Sequence, residues 1–314
     1  MITQPHSNRT AKQRKLNVAM SNITNNKTND TQTYKPYAPH VSREARSHYW
    51  AVAIGLQDVD GLEVSEYAKQ VAKKYIEGIE PIEKTAEQIR DYHAGGAYKT
   101  NEEADLVSTR IAEILERSVF CLLPSILPQI HKFIFQDLDA EIYHPGAFKT
   151  ERLIKQEDIL NGDSVLYADP ITYEMSLNAA FNREAVKVYT TFDEEGLKSF
   201  CQTIAFLWQV HPFYEGNTRT VAVFSELYLN HLGFCVVNEP FEKHSAYFRD
   251  ALVRSMYRNA KANIFPDDSF LISFYENLLD LAHNKLDREH LVCTELFDNP
   301  QLLKNVSPDE AFKK

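Results

Sequence analysis

Three observations predict an all-α fold with a small hairpin excursion. From His48 onward, apolar residues recur at helical spacing almost throughout. A change of character is confined to residues 145–170, where Pro-Gly-Ala-Phe, Asn161-Gly162-Asp163 and Asp169-Pro170 punctuate short stretches such as Ser164-Val165-Leu166-Tyr167. The 314 residues, 44% hydrophobic and 11% aromatic, are enough for one large or two modest units with a core that needs no covalent staple.

Taken in order, residues 1–47 form a basic arm with eight Lys/Arg against two Asp/Glu. The remainder holds 26 against 42, so a +6 arm precedes a −16 body and the net charge is −10. Up to about Gln32 the arm is rich in Asn, Thr, Ser, Gln and Lys, too polar to order itself, and reads as a disordered, solvated tail. The acidic body disfavours a nucleic-acid enzyme. Residues 48–93 form a front helical module, with apolar runs at 49–56, 64–76 and 82–92 and a breaker, Glu-Gly-Ile-Glu-Pro, at 77–81. The loop 94–99, with two consecutive glycines, is the expected domain boundary.

In the body, helices are expected over 104–120 and 127–135 before the excursion. Further helices are expected over 194–210 and 218–232, the latter stopped by Gly233, then around 247–257 and over 268–285 behind the capping residues Asp267, Asp268 and Ser269. From about Asp298 the chain reads as frayed, and no internal repeat is present. Cys121, Cys201, Cys235 and Cys293 lie far apart without zinc spacing, which argues for a reducing compartment over a disulfide framework or structural metal. No signal-peptide run and no stretch near the length of a membrane span occurs, so a cytoplasmic protein without membrane partners is expected.

The densest chemistry lies in residues 211–219, His-Pro-Phe-Tyr-Glu-Gly-Asn-Thr-Arg, between two helical segments. The last of these residues fall at a helix N-terminus, which offers unpaired N–H groups to an anion such as phosphate. His211 has the one side chain whose ordinary pKa suits a general base near neutrality, acting on a Ser, Thr or Tyr hydroxyl. Glu215 offers the hard oxygen that Mg²⁺ prefers. Gly216 permits close backbone approach, Asn217 is a neutral donor, and Arg219 is a forked cation for charge on phosphoryl oxygens. Pro212 and Phe213 are expected to anchor the loop by packing.

This run resembles the active-site loop of the Fic family of protein AMP-transferases, His-x-Phe-x-(Asp/Glu)-Gly-Asn-Gly-Arg-x-x-Arg, at six of its eight defined positions. The likeness extends to Gly146-Ala-Phe-Lys-Thr150, to residues 160–169 and to 241–252, and covers roughly 106–257. It implies the Fic helical bundle over 100–262 with a β-hairpin flap at 160–169, a helical extension over 263–297 and a tail at 298–314. It also implies a reaction: the histidine deprotonates a target hydroxyl, which attacks the α-phosphate of Mg-ATP and leaves AMP on the protein. An extended segment of the protein substrate would pair with the flap edge. Gly216, Asn217, Thr218 and Arg219 would hold the nucleotide phosphates, Asn238 and Tyr247 its adenosine, and Glu215 the metal. A homodimer is a further partner in many members.

Two positions depart from the pattern, Thr218 for the second glycine and Ala222 for the second arginine, as in a Gly-Asn-Thr-Arg-Thr variant subgroup. They keep open another nucleotide donor, a phosphoryl transfer, or a non-catalytic nucleotide-binding module of toxin–antitoxin type. The front module resembles the small helical antitoxin of some members, whose (Ser/Thr)-x-x-x-Glu-(Gly/Asn) signature blocks ATP through the second arginine. Here the aligned stretch 56–61 offers Leu56 and Asp60, and a literal match at 191–196 falls outside the covering module. With no arginine at 222, the expectation is that Asp60 has nothing to pair with and that Asp60→Gly leaves target modification unchanged.

Overall fold

The computed structural model describes residues 41–96 and 99–306. The disordered tail expected up to Gln32 and the last residues, 307–314, lie outside that range. The first helix, α1 (Arg43–Gly55), starts five residues before the expected module boundary because Ser42 caps it, its hydroxyl accepting from the Ala45 N–H. A 3₁₀ turn (Leu56–Asp60) continues α1, and α2 (Glu66–Ile76) and α3 (Ile82–Ala94) complete the front of the chain.

The body opens with α4 (Glu102–Arg117) and α5 (Ile126–Phe135), followed by one turn of helix, α6 (Ala140–Tyr143). Then come α7 (Tyr173–Glu184), α8 (Glu194–Val210) and α9 (Asn217–His231). The chain finishes with α10 (Glu239–Met256), α11 (Ser269–Leu278) and the short α12 (Thr294–Asp298). Helix α9 is buried on every side from Asn217 to Leu229, so it is the core around which the others pack. No helix among the described residues is long and apolar enough to cross a membrane.

The expected hairpin flap does not form: among the described residues there is no strand, only one isolated bridge, Asn259 with Ile264. The polar groups of residues 157–169 are satisfied elsewhere. The Asn161-Gly162 pair does turn the chain, with φ of 53° and 82°, and two main-chain bonds, Glu157 N–H to the Asp163 carbonyl and Gly162 N–H to the Glu157 carbonyl, close the loop. Beyond it, Ala168 N–H donates to the Gln209 carbonyl and the Gln209 amide to the Leu166 carbonyl, tying the excursion to α8. The buried Asp163 carboxylate accepts from the main-chain N–H groups of Lys304, Asn305 and Val306 and from the Tyr257 hydroxyl. The chain after Asp298 is therefore held in place as far as Val306.

Two further expectations change. Helix α11 ends at Leu278, seven residues early, because Asp280 takes φ 56° and the Asn277 side chain bonds both the N–H and the carbonyl of Asn284. The loop at 94–99 does not divide the molecule: the described residues form one unit, and a single buried core runs from Trp50 and Leu56 through Phe224 and Phe248 to Leu296. Helices α1 and α10 approach so closely that a Cβ on Gly55 would lie 2.3 Å from the Phe241 carbonyl oxygen.

Candidate functional site

Helix α8 delivers His211 and α9 begins six residues later, at Asn217. His211 ends α8 in the left-handed conformation, φ 50°, with its N–H donating to the Trp208 carbonyl at 3.0 Å, and Pro212 prevents the helix from continuing. A non-glycine residue held there costs about 1 kcal/mol, so the loop geometry is imposed by the packing around it. The ring is 4% exposed, stacked on Tyr167 at 3.9 Å and edge-on to Trp208 at 5.9 Å. Burial first, then the positive charges of Lys149, Lys155 and Arg249, push its pKa well below the ordinary histidine value, so the imidazole is neutral at cellular pH.

The loop between the helices is fixed from three sides. His131 of α5 stacks on Phe213 at 3.9 Å, accepts from the Gly146 N–H on Nδ1 and donates from Nε2 to the Glu215 carbonyl, a pair of bonds that dictates its tautomer. Asn217 spends both halves of its amide on Phe213, accepting from its N–H and donating to its carbonyl. Gly216 precedes α9 with φ 71°, and a Cβ there would lie 2.2 Å from the Phe135 ring, so only glycine fits. The Thr218 hydroxyl accepts from the Trp208 indole N–H. Asn217 and Thr218 thus direct their side chains into the scaffold of the loop.

Arg219, 1% exposed, is held by two carboxylates and an amide. Its Nε lies 3.0 Å from Asp60, Nη1 donates to Gln57 and Nη2 to Glu103, while the guanidinium carbon sits 5.0 Å from the centre of the Phe135 ring. The expectation that Asp60 lacks a partner is therefore corrected: with no arginine at 222, the Asp60 carboxylate pairs with the first arginine of the motif. Lys155 also approaches Asp60, at 3.7 Å, and reaches Glu215 at 3.6 Å. Burial opposes ionisation of Asp60, yet Arg219, Lys155 and Arg249 hold its pKa below the usual carboxylate value.

Beside Glu215 opens a polar cavity of about 520 Å³, lined among others by Asp60, Lys155, Glu157, Arg249 and Arg288. Its size suits a small-molecule ligand. The Glu215 carboxylate is half exposed and lies 3.6 Å from Lys155, and its exposure leaves it open to a cation. No group of three or more His, Cys, Asp or Glu among the described residues could hold a metal ion, so a cation at Glu215 would take its other oxygens from water or a ligand. His211 is not among the lining residues, and its ring lies stacked on Tyr167. Asn238 and Tyr247 are not brought to this cavity either: Asn238 donates to Glu242 and the Tyr247 hydroxyl to the Phe270 carbonyl. The sequence did not single out His131, Lys155, Glu157, Tyr167 or Arg249; their separation along the chain carries no local pattern.

Residues 121–229, 109 of the 314, match the family model described as the Fic/DOC family. That segment contains α5, the excursion, α7, α8 and α9 as far as Leu229, and with them every motif residue from His211 to Arg219. No curated protein and no solved structure matches the chain.

Proposed function

We propose that this Fic-like segment makes the protein a nucleotidyltransferase, moving AMP from Mg-ATP to a Ser, Thr or Tyr hydroxyl of a protein target. The observation that carries the reading is a neutral, buried His211 at the end of α8, set beside a rigid loop whose Glu215 faces a polar cavity. His211 accepts the proton of the target hydroxyl through an unprotonated ring nitrogen. The oxygen attacks the α-phosphorus, the bond from that phosphorus to the bridging oxygen breaks, and pyrophosphate leaves with the bonding pair. Glu215 is the residue to hold Mg²⁺, which, when bound, neutralises charge on the phosphate oxygens. His131 and Asn217 keep the loop in register, and the N-terminal N–H groups of α9 face the phosphates.

A second reading, transfer from another nucleotide or of a phosphoryl group, is favoured by two side chains. Thr218 is turned onto Trp208, and Ala222, fully buried, supplies no second cation. The test is to incubate the protein and His211→Ala with Mg²⁺ and each nucleoside triphosphate, and to read mass increments on the protein and on a bacterial lysate. An AMP increment that vanishes in the variant supports the first reading, and a UMP or phosphate increment the second. Nucleotide binding without any increment makes the segment a non-catalytic binding module.

A further inference from the structure

Among the described residues, four cations stand around the motif loop, and three of them are in ion pairs. Arg219 has Asp60 and Glu103, Arg249 has Glu157 at 2.7 Å, and Lys155 lies between Asp60 and Glu215. Lys149 is different. It is 2% exposed, its Nζ has no hydrogen-bond partner among the described residues, and it lies over the rings of Tyr167 and Tyr173, 5.7 and 5.9 Å from their centres. Those rings attract a cation but offer no counter-charge. A buried ammonium in this state is costly unless an anion joins it.

The backbone holds Lys149 at the loop. Its N–H donates to the Pro212 carbonyl at 2.8 Å, Phe148 packs against Phe213, and the Gly146 N–H is bonded to His131. Tyr167, one of the two rings over which the ammonium lies, stacks with its own face on His211. The charge is therefore one ring removed from the proposed base, and it contributes to lowering the His211 pKa.

We propose that Lys149 is an anion-binding residue of this site, its ammonium gripping a phosphate-type oxygen of the ligand beside His211. The identity of the ligand as a nucleotide rests on the function proposed above; the anion requirement rests on the unpaired lysine alone. Burial and the neighbouring Lys155, opposed in part by the Glu215 carboxylate, lower the lysine pKa to about 8. Bringing the ligand oxygen to Lys149 also places the attacked phosphorus within reach of a hydroxyl bound at His211.

Calorimetry with Mg²⁺ on the full chain and on Lys149→Met, using ATP, adenosine and inorganic pyrophosphate as probes, tests this. The expected result is at least a tenfold loss of ATP and pyrophosphate affinity in the variant, the order of one charge-assisted hydrogen bond. Adenosine binding should be unchanged. The variant should also melt higher than the parent, because an uncompensated charge has been removed, whereas a merely structural lysine would lower the melting temperature. Equal affinity of parent and variant for ATP and pyrophosphate overturns the inference, as does a parent that binds neither. A parent that binds pyrophosphate but no nucleotide, with the binding lost in the variant, keeps the inference and sinks the nucleotide reading. Lys149→Gln serves the same comparison if the methionine variant does not fold.

Discussion

His131 shows how one buried side chain can support a site without being part of its motif. Burial, reinforced by Arg219, lowers its pKa to about 3 against an ordinary 6.5, and the Glu215 carbonyl opposes this only in part. The folded pKa lies below the unfolded one, so between pH 6.5 and 3 the unfolded chain binds the extra proton. Stability therefore falls as pH falls through that window, by about 1.4 kcal/mol per unit for a single such ring. His211 is shifted in the same direction and adds to the slope. Urea titrations from pH 7 to 4 should show a steep acid limb that flattens in His131→Phe. That variant should also be about 1–3 kcal/mol less stable at pH 7, because the Gly146 N–H and the Glu215 carbonyl lose their partner. The motif around His211 was legible in the sequence since its residues are adjacent. The role of His131 was not, because its partners lie 15 and 84 positions away.

At the scale of elements, helices were read well wherever an apolar face recurs every three to four residues. The range 194–210 coincides with α8, and 218–232 differs from α9 by one residue at each end. The excursion was misread for a physical reason: Asn-Gly reports a turn, and here it makes one, but whether two flanking runs pair depends on what else offers hydrogen bonds. Asp163 decides the matter by capturing three N–H groups of the C-terminal segment. Asp163→Ala leaves those groups and the Tyr257 hydroxyl without their acceptor, and a loss of about 3 kcal/mol is expected by chemical denaturation. Hydrogen exchange should show the amides of Lys304, Asn305 and Val306 losing protection, while those of α9 keep it. Unchanged protection at 304–306 would mean that other contacts hold this segment.

For the whole molecule, the front helices are part of the site as well as of the core. The 3₁₀ turn after α1 places Gln57 and Asp60 on Arg219, where a phosphate would otherwise find the guanidinium. Asp60→Asn should therefore raise ATP affinity several-fold in calorimetry and lower the melting temperature, as expected when one partner of a largely buried pair is removed. An unchanged affinity would return Asp60 to a purely structural role. By itself the sequence determined the helical class and most helix positions and singled out residues 211–219, because periodicity and short motifs are local properties of the chain. Tertiary structure alone decided that the excursion is no hairpin, that the described residues share one core, that Asp60 meets Arg219, and that the Lys149 ammonium has no hydrogen-bond partner among the described residues. Each of these turns on which distant groups meet in space, and the energy of a buried charge or hydrogen-bonding group is set by that meeting.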